Sequence, residues 1–140
     1  MQTILIPVDG SPASLRAVDA LIDRIKKGLK ARVYLINVQP ALPQAVTTFV
    51  GKGTVRDFHR DAGKEALKKA CARLDKAKIA HEVEVAVGDI AETIAAFAAK
   101  IKCDEIVMGT RGHGQIANLL LGSSTTKLLH LARVPVTLVK

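Results

Sequence analysis

Strand-length apolar runs alternate with helix-periodic stretches along the whole of this 140-residue chain, and that alternation leaves few folds open. Residues 3–8 (TILIPV) are a nearly continuous apolar run, as in a strand covered on both faces. Ser11-Pro12 then signals a helix start, and Ala13, Ala17, Ala20, Leu21 and Ile25 follow at helical spacing through 11–27. Residues 32–38 (RVYLINV) form a second strand run. Residues 39–53, with two prolines and two glycines, read as a long loop able to act as a lid. Over 54–77 a helix is predicted with Val55, Phe58, Ala62, Ala66, Ala70, Leu74 and Ala77 on its buried stripe. Residues 81–87 (HEVEVAV) alternate, with Glu82 and Glu84 outward, as in an edge strand. A helix over 90–100, a strand over 105–108, a helix over about 123–132 and a strand over 134–139 complete the order βαβαβαβαβ. That order predicts an α/β fold, a doubly wound five-stranded parallel sheet with helices on both faces, in one domain over residues 1–140.

Composition narrows the partners. The chain carries 21 basic and 13 acidic residues, a net charge of +8, which admits anionic ligands. Its aromatics are only Tyr34, Phe49, Phe58 and Phe97, too few for a single-strand stacking platform. Along 54–77, Arg56, Arg60, Lys64 and Lys68 make a basic ridge. Asp57, Asp61 and Glu65 stand at i,i+3 to Arg60, Lys64 and Lys68, so a salt-laced solvated face accounts for the ridge better than nucleic acid does. No apolar run approaches the ~20 residues of a membrane span. The start MQTILIPVDG has no basic n-region, and Cys71 and Cys103 form no CxxC, which together point to the cytoplasm. His59, His81 and His130 lack metal-ligand spacing and read as surface residues, and both thiols as inert.

The segment Met108-Gly109-Thr110-Arg111-Gly112-His113-Gly114, continuing to Gly122-Ser123-Ser124, carries the chemistry. It begins where a strand ends and finishes where a helix begins. Glycines let backbone approach a ligand closely, and successive N–H groups in such a loop converge into an anion nest. A helix starting after Gly122 leaves the N–H groups of Ser123, Ser124 and Thr125 without intrahelical partners, which suits a phosphate. No Walker A string occurs. Residues 112–117 fit GxGxxA, but in the last βα unit, with no acid on the following strand to grip a ribose.

In open parallel sheets a ligand sits beyond the carboxyl ends of the strands where their order reverses. For the order 3-2-1-4-5 the reversal falls between the first strand, ending Pro7-Val8-Asp9-Gly10, and the fourth, ending Met108-Gly109. The second strand ends close by at Asn37-Val38, where backbone could read an adenine edge.

The spacing Gly109-x2-Gly112-x9-Gly122-Ser123 resembles the ATP-binding signature of the universal stress proteins. ILIPVDGS at one end, INV in the second strand and VPVTLVK at the other end extend the resemblance over the whole chain. It implies the 3-2-1-4-5 fold, a homodimer paired through strand 134–139, and cytoplasmic ATP binding tied to stress or metabolic state, with or without Mg²⁺. Position by position, Pro7, Asp9 and Val38 match the adenine and ribose side, Met108 and Gly109 the centre, and Gly112, Gly122, Ser123 and Ser124 the phosphate side. Gly114 belongs to the same glycine loop, and Arg111, its one cation, reads equally as a partner for the outer phosphates or as an exposed arginine.

Asp9 reads as a nucleotide or magnesium contact, or as a cap on the helix starting near Ser11; its place at the switch point favours the first. His113 has no adjoining carboxylate to orient it, so no nucleophile–base–orienter set can be assembled and any hydrolysis of ATP should be slow. The expected function is a cytoplasmic ATP-binding sensor or regulator. The alternative is a dimeric protein-interaction module that does not use nucleotide.

Overall fold

The computed structural model describes residues 1–110 and 122–140. Arg111, Gly112, His113 and Gly114 lie outside the described residues. The elements run β1 (Gln2–Pro7), α1 (Pro12–Lys26), β2 (Ala31–Gln39), α2 (Gln44–Val50), α3 (Lys52–Lys76), β3 (His81–Val87), α4 (Ile90–Lys100), β4 (Glu105–Gly109), α5 (Ser123–Leu131) and β5 (Val136–Val139). All pairings are parallel and the order is β3-β2-β1-β4-β5, so the doubly wound 3-2-1-4-5 sheet is as expected.

β1 is central and its alternation feeds two cores. Ile4 and Ile6 pack with Leu15, Val18 and Leu21 of α1 and with Leu67, Ala70 and Leu74 of α3. Leu5 points the other way, onto Ile94 and Ala98 of α4 and Leu128 of α5. Because crossovers cover both faces, Ile4, Leu5 and Ile6 are all fully buried. β3 lies at the edge as its alternation predicts, with Glu82, Val83 and Glu84 exposed.

Three local expectations are corrected. The stretch 39–53 is not an irregular loop: it holds α2 and the start of α3, separated by Gly51 at φ +89, which ends one helix and begins the next. The buried face of α3 is His59, Gly63, Leu67, Ala70 and Leu74, so the predicted stripe is right at Ala70 and Leu74, while Val55, Ala62 and Ala66 flank that face half-buried and Phe58 is off it. Gly63 decides this phase. A Cβ there would stand 2.5 Å from Val85 of β3, so only glycine lets that face lie on the sheet. Phe58 is therefore exposed, and His59 is buried rather than superficial. His81 is also mostly buried, its Nδ1 3.0 Å from the Ile79 carbonyl, whereas His130 is exposed. On the solvated side of α3 the expected Asp57–Arg60 pair forms at 3.1 Å.

α1 lies close on the end of β4. A Cβ on Gly109 would fall 2.0 Å from the carbonyl oxygen of Ala13. At the other end of the same contact, Arg24 grips Glu105 with two hydrogen bonds of 2.9 and 3.1 Å, and Thr137 of β5 donates to that carboxylate at 2.6 Å.

Gly109→Ala forces backbone against backbone and should destabilise the fold by about 1–3 kcal/mol or more, read from urea unfolding; an unchanged midpoint would show that α1 can lift without cost. The Arg24 hydrogen bonds hold the Glu105 carboxyl below its ordinary value of 4.5 despite partial burial, with help from Thr137. A depressed folded-state value gives stability that is present above pH 4.5 and lost as pH falls through the lower, folded-state value. Glu105→Gln should therefore melt below wild type at neutral pH and converge with it in acid.

Candidate functional site

β1 and β4 are in register only at Ile4↔Glu105 and Leu5↔Ile106. Each strand then runs on, to Pro7 and to Gly109, and a cleft of about 150 Å³ opens at the strand-order reversal. Its lining includes Pro7, Val8, Asp9, Val38, Met108, Gly109, Gly122 and Ser124. Residues far apart in sequence thus meet at one place because the sheet reverses there.

The wall from β1 turns sharply into α1. Gly10 takes φ +83, which a side chain would strain, and Ser11 then caps the helix by accepting from the Ser14 N–H at 3.2 Å. Pro12 occupies the first helical turn, where a missing N–H costs nothing. Asp9 accepts from the Ser11 N–H at 2.9 Å. Partial burial pushes its carboxyl up, but the hydrogen bonds from the Ser11 side chain and backbone and from Ser14 outweigh it, so the value lies below the ordinary carboxylate range. Asp9 is accordingly an ionised acid at the cleft, and the helix cap proper is Ser11.

The opposite wall is the mouth of α5. Gly122 is its N-cap, with no side-chain hydrogen bond to the first turn among the described residues, and an intrahelical bond runs from Thr126 N–H to the Gly122 carbonyl at 3.1 Å. The preceding N–H groups have no place in the helix ladder, and the positive end of the dipole lies at the cleft that Gly122, Ser124 and Thr125 line. Lys127 fastens this helix to α4 by bonds of 3.1 Å to Asp89 and 3.2 Å to Glu92. Asp89 also caps α4, accepting from the Glu92 N–H at 2.9 Å. That N–H and the Lys127 ammonium hold the Asp89 carboxyl below its usual range.

The floor is β2. The Val8 N–H donates to the Ile36 carbonyl at 2.8 Å, and the Gly88 N–H to the Gln39 carbonyl at 2.9 Å. Because backbone groups alternate sides along a strand, the N–H and C=O of Val38 face β1, which has already ended. They border the cleft.

Of the residues singled out from sequence, Pro7, Asp9, Val38, Met108, Gly109, Gly122 and Ser124 line this cleft. Ser123 is exposed and is not among the lining residues; Thr125 lines it instead, two positions further round the turn. Arg111, Gly112 and Gly114 are outside the described residues. Sequence reasoning missed Ser11, the N-cap of α1, Ala13 and Ser14 of its first turn, Ile36 of β2, and Ile90 and Ile94 of α4. The i,i+4 pair of isoleucines was a usable signal, since the first turn of a crossover helix covers the same sheet end as the ligand. Among the described residues no group of three His, Cys, Asp or Glu side chains could hold a metal ion. No described helix is long and apolar enough to cross a membrane. Burial pushes both the Cys71 and Cys103 thiols up, which keeps them protonated and poorly nucleophilic.

Comparison with known proteins agrees with this architecture. The chain matches the universal stress protein family over residues 1–140. It is 36% identical to universal stress protein MJ0531 of Methanocaldococcus jannaschii over 98% of this chain and 81% of that protein. Among solved structures, hypothetical protein MJ0577 superposes with a TM-score of 0.79 at 24% identity, covering 99% of this chain and 95% of that one. A universal stress protein in complex with cAMP superposes with a TM-score of 0.67 at 25% identity, covering 99% and 96%. With its whole length matched and its fold shared, this chain belongs to the universal stress protein family.

Proposed function

We propose that this chain is a single-domain, cytoplasmic adenine-nucleotide receptor, with ATP as its expected ligand, acting as a nucleotide-dependent sensor or regulator in a stress response. The observation that carries the reading is the convergence, at one cleft, of a β2 backbone and a helix N-terminus that, among the described residues, have no ladder partner and no side-chain cap. The base would lie against Val38, Pro7 and Met108, and the ribose would meet Asp9. The phosphates would lie toward Gly122, Ser124 and Thr125, with Ser123 at the rim, and Arg111, Gly112 and Gly114 are proposed as further phosphate contacts. One dipole–anion contact supplies only about 0.3–2 kcal/mol, whereas micromolar binding needs about 8 kcal/mol, so several of these donors must act together. A magnesium ion would enter on the phosphates, with Asp9 as the acid to meet it. The related protein solved with cAMP supports an adenine nucleotide as the ligand class.

Among the described residues the cleft's donors are backbone amides and hydroxyls, groups that hold a phosphate rather than move a proton, which supports binding with at most slow hydrolysis. Free, protonated thiols suit a reducing compartment.

We also propose a homodimer paired through β5. It is the last strand of the described sheet, and the carbonyls of Pro135, just before it, and of Val139 accept from Ile106 and Thr110. Val136 and Leu138 therefore turn their N–H and C=O to the open edge, which offers an unpaired ladder to a second copy.

Two measurements test these readings. Calorimetric titration should show ATP binding that Gly122→Val weakens by about tenfold or more, since a branched side chain stands where phosphate approaches the α5 mouth; equal affinity would reject the site. Leu138→Pro removes an outward N–H but no β4 ladder bond, so it should leave a folded monomer by light scattering where wild type is a dimer. A dimeric variant would place the interface elsewhere.

A further inference from the structure

The Val8 carbonyl is where the β1–β2 ladder would place its next rung, from the Val38 N–H. Among the described residues no backbone bond makes that rung. The carbonyl accepts instead from Asn37 Nδ2 at 2.8 Å, and Asn37 is only 5% exposed. The Asn37 amide is itself held. Gln39 Nε2 donates to Asn37 Oδ1 at 3.0 Å and to the His59 carbonyl at 2.9 Å, and His59 Nδ1 stands 2.8 Å from Gln39 Oε1.

The chain has one self-consistent direction. Gln39 Nε2 faces two oxygens, so it must be the NH₂ end, and its Oε1 must then accept from a protonated His59 Nδ1. Asn37 presents Oδ1 to Gln39 and therefore its NH₂ to Val8. His59 Nε2 is left buried and without a partner among the described residues, a cost that an apolar side chain at this position of α3 would avoid. Packing alone does not call for this histidine; holding Gln39 does.

We propose that Asn37, oriented through Gln39 by His59, is a positioning residue for base selectivity: by occupying the Val8 carbonyl it withholds the Val38 N–H from the sheet and leaves it to the ligand. This rests on the nucleotide reading above and deepens it. A backbone donor beside a backbone acceptor matches the acceptor N1 and donor N6 of adenine, and opposes the donor N1 and acceptor O6 of hypoxanthine. Asn37 reaches the base only through the state of Val38.

The experiment pairs ATP with ITP, which share ribose and phosphates and differ in that base edge. Wild type should bind ATP at least about tenfold more tightly than ITP. In Asn37→Ala the Val38 N–H can close onto the Val8 carbonyl, so ATP affinity should fall to within about twofold of ITP while ITP is unchanged. Equal weakening of both, or no change in their ratio, would overturn the proposal, because a merely structural role moves both ligands together. Amide hydrogen exchange at Val38 in nucleotide-free protein separates the two readings: fast in wild type and slowed in Asn37→Ala if the side chain withholds the amide, equal in both if it does not. Wild type that binds neither nucleotide, yet shows this exchange change, would overturn the nucleotide reading and the selectivity role while leaving the rung exchange standing. If Asn37→Ala does not fold, Gln39→Ala at its half-buried site should shift the ATP to ITP ratio in the same direction, and an unshifted ratio there overturns the proposal.

Discussion

Much of this molecule depends on one close approach, α1 lying on the end of β4 with the Ala13 carbonyl where a Gly109 side chain would be. That contact sets the height of α1 above the sheet. The Asp9–Gly10–Ser11 turn that leads into the helix is thereby held beside the open ends of β1 and β4. The same strand carries Glu105 at its other end, fastened to Arg24 of α1 by two hydrogen bonds. β4 is thus pinned to α1 at both ends, by absence of a side chain at one and by an ion pair at the other. The packing explanation of Gly109 stands beside the ligand explanation: a residue that must be glycine for the helix also presents bare backbone to the cleft.

A parallel sheet that reverses its strand order leaves backbone polar groups unladdered at the crevice, and a folded protein must account for each of them. Here some are satisfied internally and others are not. The Val8 carbonyl is taken by Asn37 and the Ser14 N–H by Ser11, while among the described residues the α5 first turn has no side-chain cap and Val38 no β1 rung. The α5 mouth and Val38 border the same cleft as Val8 and Ser14, so open and satisfied groups stand side by side there. Those backbone groups supply polarity to a cleft whose described side chains are largely apolar.

The architecture was legible because it rests on local periodicity and chain order. Apolar runs such as ILI and YLINV mark strands buried on both faces, HEVEV marks the wet edge, and right-handed crossovers restrict how such runs assemble. Much of the cleft's lining was legible too, since Pro7, Asp9, Met108 and Gly109 sit at strand ends that the order itself brings together. What failed was phase. α3 admits apolar positions on either of two adjacent faces, and the choice is made by Gly63 against Val85, a contact 22 residues away in sequence. Ser123 and Ser124 differ in exposure by the rotation of a single residue about α5, which spacing does not resolve. The Asn37–Gln39–His59 chain left no signature at all, because a polar side chain reads as surface until a partner 20 residues distant is known to face it.

Gly109 also connects the cleft to the outer edge of the sheet. It lines the one and pairs with Val139 of β5 in the other, and the next N–H, at Thr110, donates to the Val139 carbonyl at 2.9 Å. Under the proposed reading, a ligand and a second copy of the chain act on two sides of the same short strand. α5, whose mouth would hold the phosphates, leads within a few residues into β5, whose edge would pair. A ligand can shift an assembly equilibrium only by binding its two states with different affinity, and a shared strand gives a direct physical route for such a difference. Sensing in a molecule of this kind then needs no turnover. Occupancy of the cleft alone would change how firmly β4, α5 and β5 are held to one another.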